Sequence, residues 1–139
     1  MSQKTLSIIK PDGVRQGDAG NILAMIEKAG FKILGLRMIQ MTEHHAEAFY
    51  AVHKTRHFFG SLIQFMCSGP CIVFALEKDN AIDDLRKLMG ATDPAKAEKG
   101  TIRELFGTSV EANVIHGSDS PESAATEIPY FFTLLQIQG

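Results

Sequence analysis

Apolar residues recur along this chain with two periods, and the switches between them mark out its elements. Thr5 to Ile9 alternates, with Leu6 and Ile8 on one face and Ser7 and Ile9 on the other, which predicts a strand that Pro11, Asp12 and Gly13 stop. Ile22, Met25, Ile26 and Ala29 follow helical spacing, and Gly30 stands where a C-terminal glycine belongs. From 32 to 41 the alternation returns, Leu34, Leu36 and Met38 against Ile33, Ile39 and Met41, predicting a longer strand with both faces partly covered. Thr42 is placed to cap a helix over EHHAEAFYAVHK, and Phe59, Leu62, Ile63 and Met66 predict a second, shorter one.

Cys71 to Leu76 is apolar without a break, the pattern of a central buried strand; Asn80 can then cap a helix through Leu85, Leu88 and Met89, which Gly90 ends. Ala91 to Ala112 is a connection rich in Gly, Pro, Lys and Glu, with one short helix expected at Ile102 to Phe106. Connections of that length in so small a domain usually serve function. Val114 and Ile115 then form a short strand that delivers His116, and Ser120 with Pro121 opens a last helix. The order β-α-β-(αα)-β-α-β plus a helix predicts an α/β (α+β) fold. It is a ferredoxin-like βαββαβ sandwich, a four-stranded antiparallel sheet covered by helices. That architecture hosts unrelated functions and decides no chemistry.

The chain has 139 residues, 45% of them hydrophobic, and no repeat or linker, so residues 1–139 are expected to form a single domain. With 14 basic and 16 acidic residues the formal charge is -2, and no global field points to nucleic acid or an anionic membrane. Any anion site must be local. MSQKTLSIIKPDG reaches a lysine and a proline too early for a signal-peptide core, and no apolar run approaches a membrane span. A cytoplasmic protein is expected. Cys67 and Cys71 read as small core residues kept reduced, because no second Cys or His pair at ligand spacing completes a zinc site.

His116 lies in NVIHGSDS, between a strand and a capped helix, with Gly117 allowing close backbone approach and Ser118, Asp119 and Ser120 supplying oxygens. An imidazole with its ordinary pKa of about 6.5 is mostly neutral at pH 7 and keeps a lone pair for attack. The competing reading is a half-exposed turn histidine. The free N–H groups opening the next helix would favour an anion beside His116. Glu127, two turns along that helix, could face back toward it, although on spacing alone it reads as a solvated glutamate. Lys10 at a strand end, Arg86 and Arg103 could each serve a phosphate, and singly each reads as a surface charge. His44 and His45 cannot share a helix face, His53 and His57 have metal-compatible spacing without a third ligand, and all four read as helix-surface residues. Neither a GxxxxGK[ST] loop nor a GxGxxG fingerprint is present.

Taken together and in this order, IIKPDGV, GATDP, GTIR and NVIHGSDS resemble the nucleoside diphosphate kinase family over essentially the whole chain. The resemblance implies that His116 is phosphorylated on Nδ1 by a nucleoside triphosphate, mainly ATP, and passes the group to a diphosphate, maintaining NTP and dNTP pools. It implies that Lys10, Arg86, Thr92 and Arg103 contact phosphates, that Lys10 and Asn113 reach the sugar, and that Phe58 stacks on the base. Tyr50, Ser118 and Glu127 would support the histidine. Asp119 would lie near a Mg²⁺ held mainly by nucleotide phosphates and water. The family forms homotetramers or homohexamers, and the short ending LLQIQG favours a tetramer. Pro129 departs from a regular helix and predicts a kink or early end that could displace Glu127. Two other classes stay open: a nucleotide-sensing module without catalysis, and a phosphohistidine carrier for a protein partner.

Overall fold

The computed structural model describes residues 2–138. Strand β1 (Ser2–Ile9) ends ahead of Pro11, which has no N–H for a ladder. Pro11 then opens a five-residue helix, α1 (Pro11–Arg15), too short for its periodicity to show in the sequence. Helix α2 (Ala19–Lys28) buries Ile22 and Ile26, and Gly30 follows with φ +95°. Strand β2 (Lys32–Ile39) leads to α3 (Glu43–Phe49), where Thr42 Oγ1 accepts from the backbone of His45 at 3.2 Å. The helix expected over EHHAEAFYAVHK stops at Phe49; Tyr50 turns inward to the core and one 3-10 turn covers Ala51–His53.

Helix α4 (Phe59–Met66) and strand β3 (Cys71–Asp79) follow as the pattern predicts. Asn80 does not cap helix α5 (Ala81–Met89) with its side chain. It adopts the left-handed conformation, and Gln3 Oε1 from β1 accepts from the Ile82 N–H at 2.9 Å instead. The long connection carries α6 (Ile102–Phe106) before β4 (Ile115–Gly117) and α7 (Pro121–Phe131). The early end expected at Pro129 does not occur, because α7 runs on to Phe131. Tyr130 donates from its hydroxyl to the His45 carbonyl at 2.7 Å, and Arg37 donates to the Phe131 carbonyl at 2.6 Å, so the last turn is tied to α3 and β2.

The four strands form one antiparallel sheet in the order β2-β3-β1-β4, the ferredoxin-like arrangement, with β1 and β3 central. Leu6, Ile8, Val73 and Ala75 bury one face with residues of α3, α4 and α7; Ile9, Phe74 and Leu76 bury the other with residues of α2, α5 and α6. Helices thus cover both faces. Strand β2 lies at the edge, so the cover expected there is incomplete: Leu34 is buried, whereas Leu36 and Met38 are 48% and 60% exposed. Cys67 and Cys71 are free thiols, and Cys71 sits wholly in the core. Among the described residues no helix is long and apolar enough to cross a membrane.

Candidate active site

The opposite edge of the sheet is β4, and it carries His116. Pairing of Ile8 with His116 fixes the strand, and Ser7 Oγ donates to the His116 carbonyl at 2.7 Å, so the histidine backbone is anchored to central β1. Its ring faces Glu127, whose Oε1 lies 3.0 Å from Nε2. The same Oε1 accepts from Ser118 Oγ at 2.8 Å, and Ser118, fully buried, accepts in turn from the Leu6 N–H at 3.2 Å. Glu127 is therefore not the solvated residue its spacing suggests. A carboxylate beside Nε2 fixes the tautomer with the proton on that nitrogen. Nδ1 then carries the lone pair, and it makes no hydrogen bond among the described residues. Phe49 and Tyr50 stand edge-on to the imidazole at 5.5 and 6.2 Å and limit its rotation. Burial pushes the Tyr50 hydroxyl far above its usual range, so it stays neutral.

The cations gather from three separate elements. Lys10, 6% exposed, donates to the Glu111 carbonyl at 2.7 Å and to Asn113 Oδ1 at 2.9 Å; burial lowers its pKa to about 8, with Asp12 and Glu111 opposing and Arg103 adding to the fall. Arg103 donates to the carbonyls of Gly90 at 3.1 Å and Ile115 at 2.7 Å, and burial followed by Arg86 lowers its pKa to about 10. It remains a cation at neutral pH. Arg86 is exposed at the end of α5, and Thr92 follows it in the connection, where its carbonyl accepts from Asn113 Nδ2 at 3.0 Å. The lysine and both arginines border one cleft of about 980 Å³, with His116, Asn113 and Phe58 also on its wall.

Every residue that the resemblance assigns to the site borders this cleft except Ser118, which lies beneath it and donates to Glu127. Asp119 is on the wall; hydrogen bonding from Ser123 at 2.6 Å, then Arg86, holds its carboxyl below the usual range. Ser120 caps α7 as expected, accepting from the Ser123 N–H at 3.0 Å. Among the described residues no three His, Cys, Asp or Glu side chains gather to hold a metal. Asp119, Glu111, Glu122 and Glu127 are the carboxylates on the cleft wall. The close approach at Gly117 is to the core, where a Cβ would lie 2.6 Å from Met89 Sδ.

Several wall residues escape the sequence pattern. His53 and His57, read as helix-surface residues, flank Phe58 with ring centroids 5.6 Å away. Val52 and Val110 are 84% and 56% exposed and line the same cleft, adding apolar surface to its wall. Exposed valines in loops were the available signal, but only the fold brings segments 52 and 110 together.

Comparison with known proteins points to one family. The family model described as nucleoside diphosphate kinase matches residues 3–137. The chain is 57% identical to the nucleoside diphosphate kinase of Geobacter sp. (strain M21) over 97% of this chain and 98% of that one. It is 53% identical to that of Nitratidesulfovibrio vulgaris (strain DP4) over the full length of both. Among solved structures, a crystal form of the Aquifex aeolicus nucleoside diphosphate kinase superposes with TM-score 0.96 at 43% identity, covering 99% of each chain. The halophilic enzyme of Halobacterium salinarum in complex with CDP superposes with TM-score 0.96 at 35% identity, covering 100% of this chain and 93% of that one.

Proposed function

Because this chain belongs to the nucleoside diphosphate kinase family, a family of nucleotide phosphotransferases, we propose that it works by two half-reactions through a phosphohistidine at His116. In the first, the Nδ1 lone pair forms a bond to the γ-phosphorus of a nucleoside triphosphate, mainly ATP, while the bond from that phosphorus to the β-γ bridging oxygen breaks. The diphosphate leaves with the electron pair. In the second, a terminal oxygen of another nucleoside diphosphate takes the phosphoryl group and His116 is restored. The observation that carries this reading is the Nε2 to Glu127 contact at 3.0 Å, which leaves Nδ1 as the nucleophile and places a carboxylate where the phosphoimidazole becomes positive.

The surrounding cations suit a reaction that asks chiefly for positioning and neutralisation of charge. Arg103 and Lys10 are pre-set by backbone and side-chain acceptors, so little reorganisation is needed when the phosphates arrive. On this reading the exposed Arg86 and Thr92 take the more exposed phosphates, Asn113 and Lys10 the sugar, and Phe58 the base, all of them lining the cleft with Arg103. Mg²⁺ on the phosphates would supply further neutralisation, with Asp119 near its water shell. The reading places the protein in the cytoplasm, maintaining NTP and dNTP pools, as a single domain over residues 1–139.

Assembly belongs to the same proposal. The open edge of β2, the exposed Leu36 and Met38, and the 94% and 93% exposed Leu134 and Leu135 favour cover by another copy, with a tetramer preferred to a hexamer. Light scattering gives the number directly. The chemical test is incubation with γ-labelled ATP, detection of acid-labile phosphate on His116, and a chase with a nucleoside diphosphate. Label that fails to form makes the protein a sensor, and label that forms but does not discharge to the diphosphate makes it a carrier.

A further inference from the structure

Among the described residues only Asn80 and Val114 combine a side chain with positive φ. Asn80 tolerates it; Val114, β-branched and fully buried at φ +65°, does not do so without strain. One residue, Ile115, separates that strain from His116. The Ile115 N–H donates to the Asn113 carbonyl at 2.9 Å, closing a three-residue turn around Val114 of the rare strained kind. Such a turn persists only if its surroundings over-determine it, and both peptide groups of Val114 are held. Its carbonyl accepts from the Lys10 N–H at 2.8 Å, and its own N–H donates to Asp12 Oδ2 at 3.1 Å. Gly13 makes room, since a Cβ there would stand 3.3 Å from the Val114 carbonyl oxygen.

Asp12 is itself expensive. It is 5% exposed in the first turn of α1, and its Oδ1 has no hydrogen-bond partner among the described residues. A buried carboxylate so thinly satisfied adds little to stability. Its two neighbours are functional: the turn leading to His116, and Lys10, whose ammonium is bonded to Glu111 and Asn113 at that turn. We propose that Asp12 is a positioning residue for phosphoryl transfer, its carboxylate clamping the strained turn at Val114 so that His116 and Lys10 are aimed together into the cleft. The proposal rests on the His116 reading above. The charge acts as well as the hydrogen bond. The groups facing the Lys10 ammonium are Asp12 from α1, Arg103 from α6, Glu111 from the connection and the Phe65 ring of α4 at 5.1 Å. Of these, Asp12 contributes the largest attraction, against a burial penalty that favours the neutral amine.

Asp12→Ala and Asp12→Asn separate the two parts. The asparagine keeps an oxygen for the Val114 N–H and removes only the charge. In single-turnover phosphorylation by γ-labelled ATP at saturating nucleotide, Asp12→Ala should be slowed by roughly tenfold to a hundredfold, the scale of one charge-assisted hydrogen bond, with KM changed less than kcat. Asp12→Asn should recover much of that rate, yet the alkaline fall of kcat/KM should move to lower pH in both variants. A merely structural role would lower the melting temperature and leave the pH profile of the folded fraction unmoved. Wild-type rates and pH profile in Asp12→Asn and Asp12→Ala would overturn the proposal; should the alanine variant not fold, an unmoved alkaline limb in Asp12→Asn overturns it alone. Failure of the wild-type protein to label at His116 would instead remove the reading on which it rests.

Discussion

Glu127 Oε1 lies 3.0 Å from Nε2 of His116, although the two are eleven positions apart and on different elements. The contact exists because Ser120 starts α7 at a fixed place and Glu127 lies two turns along it, on the side facing β4. Ser118 holds the same oxygen from below at 2.8 Å.

Replacing Glu127 by alanine should therefore slow formation of the phosphoenzyme by roughly tenfold to a hundredfold, since hydrogen bonds to charged groups are worth about 1.5 to 3 kcal/mol. Glu127→Gln keeps an acceptor without the charge and should fall between. Rapid-quench measurement of both variants checks the order, and equal rates in all three proteins would mean that the carboxylate does not act on the imidazole.

Lys10 links activity and stability to pH in opposite ways. With its pKa at about 8, kcat/KM should fall as pH rises through that value, because phosphate needs the ammonium in the free enzyme. Bound phosphates favour the charged form, so the corresponding fall in kcat should lie higher. For stability, a folded pKa below the unfolded 10.5 means that the unfolded chain holds the proton more tightly. The cost of the buried charge, on the order of 3 kcal/mol, is complete below about pH 8 and is relieved as pH approaches 10.5. Lys10→Met should accordingly be nearly inactive yet more stable at pH 7, with an advantage that shrinks at pH 9.5. Urea unfolding at the two pH values decides, and a constant difference would contradict the argument.

At Pro129 the expected early end of α7 does not occur. The proline has no N–H for the Ala125 carbonyl, yet α7 continues to Phe131 because Tyr130 and Arg37 tie down its last turn. Pro129→Ala should restore the missing bond and raise stability by about 1 to 3 kcal/mol, less than the full penalty of proline in an unsupported helix. Phosphorylation of His116 should be unchanged, since Glu127 already reaches it. A lower melting temperature in the variant would show that the proline stiffens the chain more than it disrupts the helix.

The succession of elements, the central position of β3 and the helix caps at Thr42 and Ser120 were legible because period and capping chemistry are local. His116, Lys10 and Arg103 were legible as chemically apt, but their convergence was not. Lys10 looked like an edge lysine, and only the pairing of β1 with β4 brings it beside Asn113. Asp12 read as part of a strand stop, since its partner, the Val114 N–H, lies 102 positions away. His53 read as a surface residue of a helix that in fact ends at Phe49, and only the fold sets it and His57 against Phe58.

Substrate range follows from what the cleft walls offer. On the proposed reading the converging charged groups take the phosphates, the Lys10–Asn113 pair the sugar, and Phe58 the base, with Val52 and Val110 on the same cleft wall. Stacking on an aromatic face is worth about 1 to 3 kcal/mol and tolerates any base. ADP, GDP, CDP and UDP should thus all accept phosphate, in ribose and 2′-deoxy forms alike. A nucleotide without its 3′-hydroxyl leaves the buried Lys10 and Asn113 groups short of a partner and should be a poor substrate. Specificity constants for the four diphosphates, their 2′-deoxy forms and a 3′-deoxy analogue test this. A preference of several thousandfold for one base would require a hydrogen bond to a base edge. His53 and His57, the polar rings flanking Phe58, would then be the side chains to replace first.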